Sequence, residues 1–286
     1  MNSPFFLLLP QTEAIPLIFD SPHSGTELPD NMRAIAPHQA LMTGCDAFID
    51  ELWGSAVQCG ASLLAARFHR TYIDVNRSRY DIDPDLLDEP WPERIETSAK
   101  SKAGMGLIRR LALPGVPMYD RKLTVSEVRQ RLDNYYLPYH RALESLIEAA
   151  HARSGATWHI DCHSMKSVGN AMNVDCGEPR PDFVVSDRNG SSAAPSFTNW
   201  VAEQLQQLGY SVKINDPYQG AELIRAYGAP AQNKHSIQIE INRKLYLDEN
   251  TFARNEGFAA LQQNLAIMAK RLSLYVRAKV NDTFER

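Results

Sequence analysis

The chain has 286 residues, of which 44% are hydrophobic and 22% charged, and its formal net charge is −4 at pH 7. This is ordinary globular composition, and without a run of five or more lysines and arginines we expect neither a nucleic-acid nor a membrane partner. The four cysteines, at positions 45, 59, 162 and 176, form no CxxC pair, which predicts free thiols in a reducing cytoplasm. The opening segment MNSPFFLLLP lacks a basic region, and no apolar run reaches transmembrane length, so we expect no signal peptide.

The first half of the chain predicts a few short elements and one long irregular segment. We predict a strand over 14–20 that leads into the turn SPHSG, a helix over 38–58, and strands over 61–66 and 71–75. The segment from Asn76 to about Leu123 holds five prolines and three glycines and shows no sustained periodicity. Irregular segments of this length usually form binding loops, so we interpret it as a substrate-facing wall.

The second half alternates between helices and strands. A helix over 124–152 begins with Thr124 and Glu127, spaced as a capping box, and Pro138 should interrupt it. We predict strands over 156–162, 182–187, 211–214 and 235–242, and helices over 196–208 and about 251–280. No repeat or linker divides residues 1–286, so we predict a single three-layer α/β/α domain with a mixed, mostly parallel sheet.

Polar side chains follow or end several of these strands. They are His23, then Asn76, Arg77 and Arg79, then His159, Asp161 and His163 on alternate positions of TWHIDCHSM, and Glu240 in IQIEIN. Two histidines and one carboxylate leave an open position on a tetrahedral Zn²⁺ for water, and a carboxylate that is not a ligand is then needed to take the proton from that water. Glu240 is our candidate for this base, and an arginine fork such as Arg77 would hold a substrate carboxylate.

Each of these residues also has a structural interpretation. Arg77 could be an ordinary surface ion-pair partner, and Glu240 could pair with Arg243. His159 and Asp161 could be core groups, or one of them could orient His163 through its other ring nitrogen. In GLIRRLALPG, Arg109 and Arg110 could reach a second substrate carboxylate or could be solvated loop charges.

Six motifs in order resemble the N-formylglutamate amidohydrolase family, which is related to the zinc carboxypeptidases and aspartoacylases. They are FDSPHSGTELP, GCDAFIDELW, DVNRSRYDIDP, LPYHRAL, HIDCHSM and IEINRKLY. The resemblance implies a zinc-carboxypeptidase-like (phosphorylase/hydrolase-like) fold. It also implies zinc-dependent hydrolysis of N-formyl-L-glutamate to formate and L-glutamate, a step of histidine degradation, by a cytoplasmic enzyme that acts on a small molecule.

The resemblance also implies roles for individual residues. His23 matches the first zinc ligand and His163 the last, Asn76 and Arg77 match the carboxylate clamp, with Arg79 close by, and Glu240 matches the general base. Carboxypeptidase relatives have a glutamate ligand three residues after the first histidine, but here that position is Thr26. We therefore expect Asp46 to be the middle ligand, with Glu27 and Asp50 as the alternatives.

Two other functions stay open on the sequence. The enzyme could deacylate a different N-acyl amino acid, because the motifs do not specify the acyl group. Alternatively, the protein could bind an amino acid without catalysis if the presence of Thr26 in place of a glutamate ligand has abolished metal binding. The sequence does not indicate the oligomeric state.

Overall fold

The computed structural model describes residues 3–171, 173 and 175–284. Its strands are β1 (Phe5–Leu8), β2 (Leu17–Ser21), β3 (Ser62–Ala66), β4 (Leu111–Leu113), β5 (Val116–Pro117), β6 (Thr157–Met165), β7 (Phe183–Ser186), β8 (Val212–Ile214) and β9 (Lys234–Asn242). The central sheet has the order β1-β3-β2-β6-β9-β7-β8, whereas β4 and β5 form a separate hairpin. The β3–β2, β2–β6, β6–β9 and β7–β8 pairings are parallel, and the β1–β3 and β9–β7 pairings are antiparallel. The predicted mixed, mostly parallel sheet is therefore confirmed.

Helices cover both faces of this sheet. They are α1 (His38–Met42), α2 (Ile49–Leu52), α3 (Ala99–Lys102), α4 (Val125–Arg131), α5 (Leu137–Ser154), α6 (Pro195–Gln207), α7 (Glu222–Tyr227) and α8 (Phe258–Phe284). Short 3-10 helices occupy 30–32, 54–59, 84–86, 230–232 and 243–245. Among the residues described, no helix is both long enough and apolar enough to cross a membrane.

Two apolar cores form, one on each face of the sheet. One core packs α2, α6 and α8 against the sheet and includes Phe19, Trp53 and Phe197. The other packs α4 and α5 together with much of the 68–123 segment, and includes Phe68 and Tyr139. Residues that alternate along a strand point to opposite faces, so β6 and β9 place apolar side chains such as Ile160 and Ile239 in the first core and place His163 and Glu240 on the opposite face.

The helix predicted over 124–152 is present but interrupted. Thr124 Oγ1 accepts from the backbone N–H of Glu127, and the Glu127 carboxylate accepts from the backbone N–H of Thr124, which confirms the capping box. A π-helical turn over 132–136 separates α4 from α5. Pro138 lies directly after this turn, where its missing N–H costs no regular helical bond, so the predicted interruption is also confirmed.

Two predicted elements are wrong. Residues 71–75 form turns instead of a strand, because Asp74 Oδ1 accepts from the N–H of Asn76 and His69 Nδ1 from that of Thr71, which closes local turns. The helix over 38–58 is divided into α1, α2 and the 54–59 turn, with Phe48 in a left-handed conformation (φ 64°) just before α2. The final helix also begins later than predicted, at Phe258.

Candidate active site

Three neighbouring parallel strands bring the predicted site residues to one edge of the sheet. His23 follows the end of β2, His163 lies near the end of β6, and Glu240 lies opposite His163 on β9. Asp46 enters from the segment between α1 and α2, where its backbone N–H donates to the carbonyl of His23 at 2.9 Å. The carboxyl ends of parallel strands are where α/β proteins usually place ligands, and here all four side chains are buried.

Two imidazole nitrogens and one carboxylate oxygen converge on a single point. Nδ1 of His23 lies 3.1 Å from Nδ1 of His163, and Oδ2 of Asp46 lies 3.0 Å from Nδ1 of His163 and 3.5 Å from Nδ1 of His23. The edge of a tetrahedron around Zn²⁺ is about 3.4 Å when the ligands lie about 2.1 Å from the ion. The three atoms are thus already spaced as three corners of a tetrahedral metal site.

The far side of each imidazole faces a buried carboxylate. Nε2 of His23 lies 2.7 Å from Oδ1 of Asp74, and Nε2 of His163 lies 2.7 Å from Oδ1 of Asp161. Nε2 of His23 donates to Asp74 at this distance, so the neutral ring of His23 presents its Nδ1 lone pair to Asp46 and His163. Burial alone would lower the pKa of His163, but the carboxylates of Asp161 and Asp46 hold it well above its usual range. A cation bound between the two rings and Asp46 would take the place of a proton on His163.

The second oxygen of Asp46 is held by Arg243. Oδ1 accepts from Nη2 of Arg243 at 2.9 Å and from Oγ of Ser164 at 3.1 Å. Burial alone would raise the pKa of Asp46, but the hydrogen bond with His163, the nearby imidazole of His23 and the charge of Arg243 hold it well below its usual range. Arg243 therefore supports the anionic form of Asp46, and it does not make the pair with Glu240 that we considered from the sequence.

Glu240 lies beside this cluster but is not one of its three converging groups. Its Oε1 accepts from Nε2 of Gln238 at 2.8 Å, and its side chain lines the cleft above the sheet. Burial raises the pKa of Glu240 to about 7. A carboxylate with a pKa near neutrality can both accept and return a proton, which is what a general base in hydrolysis has to do.

A cleft of about 810 Å³ opens above these residues. The cationic side chains on its walls are Arg70, Arg77, Lys100, Arg109, Arg188 and Arg225. The irregular segment after Asn76 supplies several of these groups, in keeping with its interpretation as a substrate-facing wall. The lining also includes the carboxylates Asp46, Asp81, Glu96, Asp175, Glu222 and Glu240. An anionic ligand would therefore be attracted to those cations that no neighbouring carboxylate neutralises.

The predicted substrate-binding residues differ in their surroundings. Arg77 lines the cleft, donating from Nη1 to its neighbour's carbonyl at 2.8 Å and from Nε to that of Met105 at 3.3 Å. The side chain of Asn76 is used within the protein: Nδ2 donates to Asp161 at 3.0 Å, and Oδ1 accepts from the N–H of Leu223 at 2.8 Å. These contacts suit a role in positioning Asp161. Exposed Arg79 lies over the ring of Tyr80, outside the cleft lining.

The alternatives for the middle ligand lie away from the converging atoms. Glu27 is exposed and Asp50 is half-buried at the start of α2, whereas Asp46 belongs to the group of possible ligands. Sequence reasoning missed Asp74, although it lies within the motif DVNRSRYDIDP. Its position two residues before Asn76, a predicted site residue, is the sequence feature that would have marked Asp74 as a candidate.

Comparison with known proteins identifies the family. A model of the N-formylglutamate amidohydrolase family matches residues 15–247 of this chain. The chain belongs to this family. N-formylglutamate deformylases of Pseudomonas putida and Pseudomonas aeruginosa are each 30% identical to it over 243 residues, which cover 82% of this chain and 83% of the relative. The resemblance inferred from the six motifs is therefore confirmed.

A solved member of the family has the same fold. The crystal structure of N-formylglutamate amidohydrolase from Ralstonia eutropha JMP134 superposes with a TM-score of 0.92 at 43% identity, covering 97% of this chain and 99% of that one. The α/β fold class predicted from the sequence is thus confirmed. The predicted enzyme class, a hydrolase of linear amides, is that of the family.

Proposed function

We propose that this protein hydrolyses N-formyl-L-glutamate to formate and L-glutamate and that it uses a bound zinc ion. The observation that carries the proposal is the convergence of His23 Nδ1, His163 Nδ1 and Asp46 Oδ2 within 3.5 Å of one another at the floor of a cleft lined by several arginines. The names of the Pseudomonas and Ralstonia relatives, which act on N-formylglutamate, support the choice of substrate.

The donor set suits zinc. His23, Asp46 and His163 would hold the ion, since two neutral imidazoles and one carboxylate form a common catalytic zinc set with one open position. A zinc ion bound there would polarise the formyl oxygen and lower the pKa of a water molecule. Asp74 and Asp161 would keep the two rings in the required tautomer through their contacts with Nε2.

Glu240 is the proposed general base. Its carboxylate would take a proton from water as the water oxygen attacks the formyl carbon, and would pass that proton to the leaving glutamate nitrogen. The buried surroundings that raise its pKa to about 7 make both transfers possible near neutral pH. Its side chain is only 8% exposed, so bulk water does not compete for the proton.

Arg77 is the proposed partner of one substrate carboxylate. Its Nη2 has no acceptor among the described residues, so an N–H group of the guanidinium remains for the ligand. A small formyl group and two carboxylates match a cleft that combines a cation site with several arginines. That Asn76 and Arg79 contact the substrate stays a prediction.

A cytoplasmic location and a role in histidine degradation belong to the same proposal. The four cysteines are all free thiols in the structure, which agrees with a reducing compartment.

A panel of acyl amino acids tests the proposed substrate. Zinc-loaded protein should hydrolyse the amide of N-formyl-L-glutamate with a kcat/KM at least about 10-fold above that for the amides of N-acetyl-L-glutamate and N-formyl-L-methionine. Preference for an acetyl substrate would instead identify a different N-acyl amino acid deacylase. Binding of N-formyl-L-glutamate without turnover of any substrate would indicate a binding protein.

A further inference from the structure

Arg109 is the unusual cation of the cleft. Its side chain is only 8% exposed, yet its Nε has no hydrogen-bond partner, and within the described part of the chain no carboxylate pairs with its guanidinium. Its guanidinium lies beside Gly44, in the segment that carries Asp46: a Cβ atom added to Gly44 would lie 3.1 Å from Nη1 of Arg109. A buried cation without an anion is unfavourable unless something else compensates it.

The other cleft arginines already have partners. Arg70 pairs with Asp74 at 2.5 Å, and Arg225 pairs with Glu222 at 2.6 Å. Arg188 donates to the carbonyl of Gly220 at 3.3 Å. Among the described arginines that line this cleft, a buried Nε without an acceptor is therefore a feature of Arg109.

The carboxylates on the same walls have other partners. Asp46 pairs with Arg243, Glu222 pairs with Arg225, and Glu240 accepts from the amide of Gln238. Asp81 accepts from the backbone and the hydroxyl of Ser98, Asp175 pairs with Arg180, and Glu96 pairs with Arg94. None of these acids neutralises Arg109. Burial and the nearby charge of Arg70 lower the pKa of Arg109 to about 9, which reflects the cost of an uncompensated charge there.

We infer that Arg109 binds one carboxylate of the substrate, the one that Arg77 does not hold. This inference rests on the proposed function and deepens it, because it makes Arg109 a determinant of dicarboxylate specificity. A guanidinium presents parallel N–H donors that match a carboxylate bidentately. An anion at this point would supply both the missing hydrogen bonds and the missing negative charge.

A second, smaller cavity beside the main cleft supports this assignment. It has a volume of about 130 Å³ and shares Asp46, Arg70 and Arg109 with the main cleft. Arg180 and Arg243 also line it but pair with Asp175 and Asp46. A carboxylate bound at Arg109 would therefore enter a recess whose other arginines are already neutralised, so Arg109 is the guanidinium left to hold it.

The test combines one substitution with substrates that lack one charge. The substrates are N-formyl-L-glutamate, N-formyl-L-glutamine, which has a neutral side chain, and N-formyl-L-isoglutamine, which has a neutral α-amide. Arg109→Gln should lower kcat/KM for N-formyl-L-glutamate by about 100-fold or more. For the amide substrate that lacks the carboxylate bound by Arg109, the same substitution should lower kcat/KM by less than about 3-fold. The amide substrate that shows this small effect identifies whether Arg109 binds the α-carboxylate or the side-chain carboxylate.

Arg110 offers a matched control from the same loop. Its Nε donates to Asp83 at 2.8 Å and its side chain is 36% exposed, outside the cleft lining. Arg110→Gln should change kcat/KM for all three substrates by less than about 2-fold, because Arg110 does not line the cleft that would hold them. Arg109→Lys should fall between wild type and Arg109→Gln, since a point charge replaces a fork.

Two further measurements separate binding from a structural role. Arg109→Gln should keep wild-type zinc content and should not lower the melting temperature, because it removes an uncompensated buried charge. Glutarate, a dicarboxylate without an amide, should raise the melting temperature of wild type and Arg110→Gln but not of Arg109→Gln. The glutarate measurement tests Arg109 independently of turnover. If N-formyl-L-glutamate is not hydrolysed but glutarate still distinguishes the variants, the proposed function is refuted and the role of Arg109 in carboxylate binding is not.

Equal loss of kcat/KM for all three substrates in Arg109→Gln, or no loss for any, would overturn the inference. So would equal stabilisation of Arg109→Gln and wild type by glutarate.

Discussion

Asp74 contacts the imidazole of His23 on the side of the ring that faces away from Asp46 and His163. Nε2 of His23 donates to Oδ1 of Asp74 at 2.7 Å, and the other oxygen of Asp74 accepts from Arg70. Burial alone would raise the pKa of Asp74, but the charge of Arg70 and the hydrogen bond from His23 keep it well below its usual range. The carboxylate is therefore ionised at neutral pH and holds Nδ1 of His23 free for a cation.

Removal of this charge should weaken metal binding. Asp74→Asn keeps an oxygen near Nε2 but loses the charge that makes the ring a strong ligand, so we expect zinc affinity to fall about 10- to 100-fold. A competition titration with a chromophoric chelator measures the affinity. Asp120→Asn, at an exposed position, is the control and should bind zinc as wild type does. Equal affinities in all three proteins would exclude Asp74 from this role.

Loss of His163 should remove the metal itself. With only two of the three converging groups left, His163→Ala should contain less than about a tenth of the zinc of wild type after dialysis. Inductively coupled plasma mass spectrometry gives the stoichiometry. His38→Ala, at the exposed start of α1, should keep one equivalent. One equivalent of zinc in His163→Ala would remove this residue from the ligand set.

Substitution of Glu240 should separate metal binding from turnover. Glu240→Gln keeps the hydrogen-bonding shape but cannot accept a proton, so kcat should fall at least about 100-fold while zinc content stays unchanged. Steady-state formate release and metal analysis on the same sample measure both. The exposed Glu256→Gln variant should match wild type. Near-wild-type turnover by Glu240→Gln would mean that another group takes the proton.

His69 should make the fold sensitive to mild acid. Burial lowers the pKa of His69 to about 3, compared with about 6.5 in an unfolded chain. Between these values the unfolded chain binds more protons, so the stability contribution is complete above pH 6.5 and is lost as the pH falls. Between pH 7.5 and 5.5 the loss should be about 1 kcal/mol.

The variant His69→Asn isolates this effect. Asparagine retains an acceptor near the position of Nδ1, which accepts from the backbone N–H of Thr71 at 3.1 Å. Urea unfolding at several pH values should show that His69→Asn loses about 1 kcal/mol less than wild type between pH 7.5 and 5.5. His38→Asn controls for the loss of an exposed histidine. Parallel pH curves for His69→Asn and wild type would contradict the assignment.

The central strands were predictable because their residues carry the information locally. The alternation of polar and apolar residues around His163 and Glu240 predicted β6 and β9 to within a few residues, because side chains on a strand alternate between its two faces. The wrong strand over 71–75 looks equally apolar, and Ile73 and Val75 are indeed buried. There, the side chains of His69 and Asp74 bond local N–H groups, a competition that hydrophobic pattern does not reveal.

The site was predictable in its chemistry but not in its supporting contacts. His23 and His163 stood out by residue type, position at strand ends and resemblance to the family, and Asp46 was chosen as the replacement for the ligand that is missing at Thr26. The ion pair between Arg243 and Asp46 joins residues 197 positions apart, so only the folded chain brings it together. The unpaired state of Arg109 likewise depends on which carboxylates the fold assigns to its neighbours.

Formate release from N-formyl-L-glutamate before and after removal of the metal tests the central claim most directly. Wild-type protein should lose activity when a chelator removes zinc, and one equivalent of zinc per chain should restore it, in proportion to the zinc bound. Full activity in protein shown to be free of metal would contradict a metal centre at His23, Asp46 and His163. No formate release from protein that holds one equivalent of zinc would contradict the proposed substrate.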